Sequence, residues 1–170
     1  MMISAPTLHV IATELTVGMF ALSGVAFLLC LIEKGPESRE PVAHWAMIGG
    51  LIATPLAIVT GINSTPSDGI SDPLLANKVL LSMSSAGIAL GVLINRKLGA
   101  KVDVKHSSLG LISVGLMLTT AGIGGEYSRG ETLLYLVPKD TVLLFPVWAS
   151  FALIILGLVM ISKSAVQHRV

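Results

Sequence analysis

Apolar residues along this chain fall in long runs, and the polar residues gather between them. A run of about 18 to 25 such residues crosses a hydrocarbon core of roughly 30 Å as an α-helix. Five runs predict helices over residues 8–32, 42–62, 74–95, 107–124 and 141–162. Pro6, Pro41 and Pro73 sit near first-turn positions, where a missing N–H costs nothing. Asp72 and Asp140 are placed to cap the third and fifth helices. Pro55 lies inside the second run, where it kinks a helix and frees a carbonyl that needs a partner within the bundle.

Basic residues orient these spans. Lys34, Arg39, Arg96, Lys97, Lys101, Lys105, Lys163 and Arg169 fall on one side, against Lys78, Arg129 and Lys139 on the other. Positively charged loops stay cytoplasmic, so the N-terminus is expected outside and the C-terminus in the cytoplasm. The loops are short, which leaves a single transmembrane domain, 1–170. The longest outer loop contains "ETLLYLV", a segment suited to lying along the interface.

Composition supports the same reading. Of 170 residues, 53% are hydrophobic and 12% charged, with a mean hydropathy of +0.84. Soluble domains carry roughly 25% charged residues, so a water-soluble fold of this size would lack polar side chains to cover its surface. The expected class is all-α, an integral membrane bundle of five transmembrane helices with lipid as its first partner. A net charge of +1 provides no basic field for nucleic acid. The N-terminal segment lacks the basic start of a secretory signal, so the first run is expected to be kept as a span. The one cysteine, Cys30, lies inside that run and reads as a small packing residue.

Small residues predict where helices meet. Gly49, Ala53, Ala57 and Gly61 recur at steps of four, and Gly87 and Gly91 repeat the device in the third helix beside Ser84. Such stripes let a neighbouring backbone approach closely, within the chain or in a larger assembly. The fifth run is almost uniformly apolar and suits lipid or a partner subunit.

Several polar residues need a reason to be where they are. His9, Glu14, Asn77, Lys78 and Glu126 fall toward the outer helix ends. A lone ionised carboxylate at the depth of Glu14 costs several kcal/mol unless it is paired or protonated. A Glu14–Lys78 or His9–Glu126 contact would tie helices together; a metal or proton-handling cluster of His9, Glu14 and Glu126, or contact with a partner, are the other readings. His9 and Glu14 are about 140° apart around a helix and make no ready pair. On the cytoplasmic side His44 and His106 lie at similar depth, so a bis-histidine b-type haem is a second reading. Both sit near the water boundary beside basic residues, where a solvated histidine is the common occupant. No nucleophile–base set, phosphate loop, CxxC or HExxH occurs, so no catalytic activity of its own is expected.

"GGLIATPLAIVTGI" in the second helix and "GIGGEY" ending the fourth, with a histidine opening the first, resemble a known pattern. It is that of the domain of unknown function 2231 family, small prokaryotic membrane proteins, over roughly residues 8–130. The matching residues are Ala53, Pro55, Ala57, Thr60 and Gly61, then Gly122, Gly124, Gly125 and Glu126. Asn77 stands where that family often has a histidine, and Ser128 and Arg129 where another is usual. The resemblance implies a multi-pass protein in the cytoplasmic membrane of a bacterium or archaeon, with an association with redox complexes.

Together these readings predict a non-catalytic membrane subunit of a larger respiratory or oxidase/monooxygenase-type assembly. The alternative is an electron carrier holding haem b through His44 and His106. A small transporter or proton path using Glu14 and Lys78 comes last, because paired broken helices are absent. At the end of the fourth run, Gly124 and Gly125 are expected to let the backbone leave the helix, or to admit another chain.

Overall fold

The computed structural model describes residues 4–64, 73–130 and 146–167. The chain is all-α: α1 (Ala5–Leu31), α2 (Arg39–Ser64), α3 (Pro73–Lys97), α4 (Val104–Arg129) and α5 (Val147–Gln167). The first four are long and apolar enough to cross a bilayer; α5 contributes a shorter apolar stretch, Phe151–Lys163. This is the architecture of a multi-pass membrane protein. Asp72, Asp140 and the "ETLLYLV" segment lie outside the described residues.

Helix ends follow local chemistry. Ser4 caps α1 by accepting from the Thr7 N–H, and Pro6 falls in its first turn. Asp103 caps α4: its Oδ1 accepts from the His106 backbone N–H at 2.8 Å. That cap starts α4 three residues before the apolar run, and the charged flanks lengthen α2 and α3 in the same way. The helix α2 runs unbroken through Pro55, with the Thr54 hydroxyl donating to the Gly50 carbonyl at 2.8 Å.

The fourth helix corrects the expectation placed on Gly124 and Gly125. Both remain helical, and α4 ends only at Arg129. Gly130 takes the left-handed conformation, φ 64°, and its N–H bonds the Glu126 carbonyl at 2.9 Å. A glycine inside a helix keeps its backbone bonds, so the pair does not by itself stop α4. Gly124 instead leaves room for a side chain: a Cβ there would lie 2.8 Å from Lys78 Nζ.

The helices α1, α2, α3 and α4 form a bundle in which α1 packs on α2 and α4, and α3 on α4. Among the described residues α2 and α4 face each other across a diagonal with no close backbone approach. The core is built from Phe20, Phe27, Met47, Leu81, Ile88 and Val92, all fully buried. Small residues of α2 face α1: a Cβ on Gly49 would run into the Met19 side chain, one on Gly61 would meet His9 at 2.9 Å, and one on the neighbouring Gly50 would meet Phe20 at 2.5 Å. Gly87 and Gly91 receive α5, whose Gly157 lies so close that a Cβ would stand 2.8 Å from the Gly87 backbone carbon.

Buried hydroxyls add polar links. Ser23 donates to the Ala43 carbonyl at 2.8 Å, joining α1 to α2. Ser85 and Ser113 bond each other's carbonyls at 2.7 and 2.9 Å, joining α3 to α4. In lipid such bonds contribute about 0.6–2 kcal/mol each. Outward, the surface is apolar: Trp45, Ile52 and Trp148 are each 70% or more exposed. Water would penalise that surface, whereas hydrocarbon matches it.

Candidate functional site

The polar centre of the bundle is a pair of histidines. His44 lies in the second turn of α2 and His106 in the first turn of α4, at the same end of the diagonal pair. Their side chains cross the gap that the backbones leave: the two Nε2 atoms are 2.9 Å apart. Both residues are buried, 7% and 4% exposed. The expectation of two solvated residues at the water boundary is thereby corrected. The reason is Phe27 of α1, which covers both rings with centroids 5.3 Å and 6.2 Å away. Gly110 makes room for it, since a Cβ there would meet the Phe27 ring at 2.7 Å.

The hydrogen bonds fix which nitrogen carries each proton. His44 Nδ1 lies 2.7 Å from the Glu40 carbonyl, which only accepts, so Nδ1 is the donor. A neutral His44 then has a bare Nε2. The bond between the rings therefore requires His106 to donate its Nε2–H, leaving Nδ1 as the basic nitrogen of His106. Charged residues ring the pair: the Glu40 carboxylate pairs with Arg96 of α3, and Asp103 caps the turn that carries His106. At the same end a cavity of about 460 Å³ is lined by Glu33, Glu37, Glu40 and Asp103, with Cys30 and Arg39; it adjoins the pair through Glu40 and Asp103, and neither imidazole lines it.

A bis-histidine haem does not fit this geometry. Two metal–imidazole bonds of about 2 Å each set their nitrogens roughly 4 Å apart across a metal. At 2.9 Å the rings bond each other and leave no place for an iron between them. His44 and His106 are accordingly not assigned as iron ligands.

The opposite end of the bundle holds the other expected residues without gathering them. His9 turns toward α2 and donates Nδ1–H to the Ala57 carbonyl at 2.9 Å, with Thr60 Oγ1 at 3.3 Å. It makes no bond to Glu126. Glu14 is exposed and forms no ion pair with Lys78. The Glu14–Lys78 and His9–Glu126 contacts are thus absent, and among the described residues the one ion pair is Arg96–Glu40. Lys78 lays its amine against Gly124, and the buried Asn77 Oδ1 has no hydrogen-bond partner among the described residues. No three His, Cys, Asp or Glu side chains among the described residues come together as a metal site.

Phe27, Glu40, Arg96 and Asp103 were not foreseen as members of the site. Asp103 carried a readable signal, an acidic residue three positions before His106 at the edge of an apolar run. The cover by Phe27 had none, because it depends on how α1 rotates against two other helices. No protein-family model, curated protein or solved structure matches this chain, so the resemblance drawn from the motifs of α2 and α4 stands on those residues alone.

Proposed function

We propose that this protein is a non-catalytic integral membrane subunit that docks through the outward face of α1 onto helices of a larger membrane assembly. One observation carries the reading. Glu14 is exposed on α1 and no side chain among the described residues bonds its carboxylate. It lies nine residues into the helix, about 13 Å from its start at 1.5 Å per residue. An acidic side chain at such depth costs roughly 2.5–3.5 kcal/mol in lipid. Around it the same face presents Ile11, Leu15, Leu22 and Val25, with an open notch at Gly18 one turn on. A polar or cationic side chain from a neighbouring helix, seated at that notch, satisfies the carboxylate that lipid cannot.

The finer features of the reading are five crossings in a cell membrane with the N-terminus outside, supported by the distribution of Lys and Arg. A respiratory or oxidase-type redox assembly is the kind that the family resemblance implies. Extraction in mild detergent followed by native mass analysis tests the docking. The expected result is the chain bound to other membrane polypeptides, with Glu14→Leu releasing it while its helix content stays intact. A lone monomer, or an assembly indifferent to Glu14→Leu, contradicts it.

A further inference from the structure

We propose that His44 and His106 form a binding site for a single proton, held in common between two helices and loaded from the carboxylate-lined cavity at that end of the bundle. The site is independent of whether α1 docks onto a partner.

Bond direction at the pair dictates the chemistry. In the neutral pair three of the four ring nitrogens are engaged: His44 Nδ1–H donates to the Glu40 carbonyl, and His106 Nε2–H donates to His44 Nε2. The remaining basic nitrogen is His106 Nδ1, and an incoming proton adds there. His106 is then an imidazolium, and its Nε2 proton can pass to His44 Nε2 along the 2.9 Å bond. The charge moves to His44, while His106 becomes neutral again with its hydrogen on Nδ1. One proton has entered at one ring and its charge has been delivered to the other, with every hydrogen bond kept.

A second proton has no such place. With both rings charged, two N–H groups would point at each other across the bond, and two positive rings would stand with centroids 5.2 Å apart beneath Phe27. The pair therefore binds one proton where two separate imidazoles would bind two. The bond also crosses the diagonal between α2 and α4, which lack any close backbone approach among the described residues. Overloading the site removes that tie.

The surroundings suit proton delivery. Glu40, whose carbonyl accepts from His44, and Asp103, whose carboxylate holds the His106 backbone, both line the cavity with Glu33 and Glu37. The groups facing the pair are Phe27 from α1, Glu40 from α2, Arg96 from α3 and Asp103 from α4, and the three charged ones act electrostatically on His106. A cationic pair is thus flanked by carboxylates on two elements, with Arg96 already occupied by Glu40.

Full-length protein labelled with ¹⁵N-histidine in lipid nanodiscs provides the test. Its four histidines are assigned by single His→Gln substitutions. In a titration from about pH 8 to about pH 4, which brackets the ordinary imidazole range, the alkaline spectrum should show hydrogen on His44 Nδ1 and on His106 Nε2. On acidification both rings should respond in one common step, His106 Nδ1 should gain a hydrogen, and the pair should take up one proton. Two separate steps totalling two protons, no uptake by either ring, or an alkaline His44 carrying its hydrogen on Nε2 would each overturn the proposal. His106→Gln sharpens it: the glutamine amide still donates to His44 Nε2 but offers no second basic nitrogen. That variant should keep the His44 Nδ1–H form and lose the common step; a titration like that of the unaltered protein would contradict the shared site.

Discussion

The two ends of the bundle treat polar groups in opposite ways. At the end holding Phe27, His44 and His106, donors and acceptors answer one another: carbonyl to imidazole, imidazole to imidazole, carboxylate to helix N-terminus. At the other end His9 is bonded, yet Asn77 Oδ1 is buried without a partner and Lys78 leans on Gly124 with no carboxylate within ion-pair distance among the described residues. Lipid gives no hydrogen bonds in exchange for those a protein fails to make. At the first end the Ser107 hydroxyl is the exception, buried without a partner among the described residues, while the imidazole bond ties α2 to α4. The second carries its polar groups at a cost, and so contributes less to stability.

That contrast can be broken most severely at Phe27. Phe27→Ala removes the cover from both imidazoles and should destabilise the bundle by about 3–5 kcal/mol, read as a lowered unfolding midpoint in a detergent titration. An effect equal to that of truncating an outward residue such as Ile52 would mean the ring does not seal the site. Next in size, His106→Ala leaves His44 Nε2 a buried acceptor without its donor and should cost about 1–3 kcal/mol on the same measurement. The double variant His44→Ala/His106→Ala should cost less than the sum of the two singles, because the orphaned nitrogen disappears with its ring.

The opposite end should respond with the opposite sign. Lys78→Met removes an amine that forms no ion pair among the described residues while keeping an unbranched stem, and should raise stability by about 1 kcal/mol. A loss of stability there would show that Lys78 has a partner which holds it. The smallest effect belongs to Glu40→Gln. Its ion pair with Arg96 is substantially exposed, 34% and 41% for the two side chains, so the change should stay within about 1 kcal/mol. It should leave the His44 bond intact, since that bond uses the Glu40 carbonyl and not its carboxylate.

Much of the architecture is legible in the chain itself, because hydrocarbon imposes a length on each apolar run. Small residues on the helix faces make room for neighbours: a Cβ on Gly49 would run into the Met19 side chain, and one on Gly91 would stand 3.0 Å from Met160. The end of α4 was not readable in the same way. Gly124 and Gly125 carry the composition of a helix stop, but a glycine stops a helix only where the backbone turns, and here it turns at Gly130. The fate of the polar residues was less legible still. His9 and Glu14 separate as their 140° offset requires, yet which of them meets a neighbour depends on the rotation of α1 against α2. Likewise the apolar pattern puts His44 and His106 at one end, while their union rests on a diagonal that no single helix encodes.

The imidazole bond is the feature on which the contrast between the ends depends, and it can be observed directly. A through-bond ¹⁵N–¹⁵N coupling measured across the hydrogen bond in nanodisc-embedded protein should connect His44 Nε2 with His106 Nε2 and vanish in His106→Ala. Two histidine rings with independent spectra and no such coupling in the unaltered protein would contradict the account.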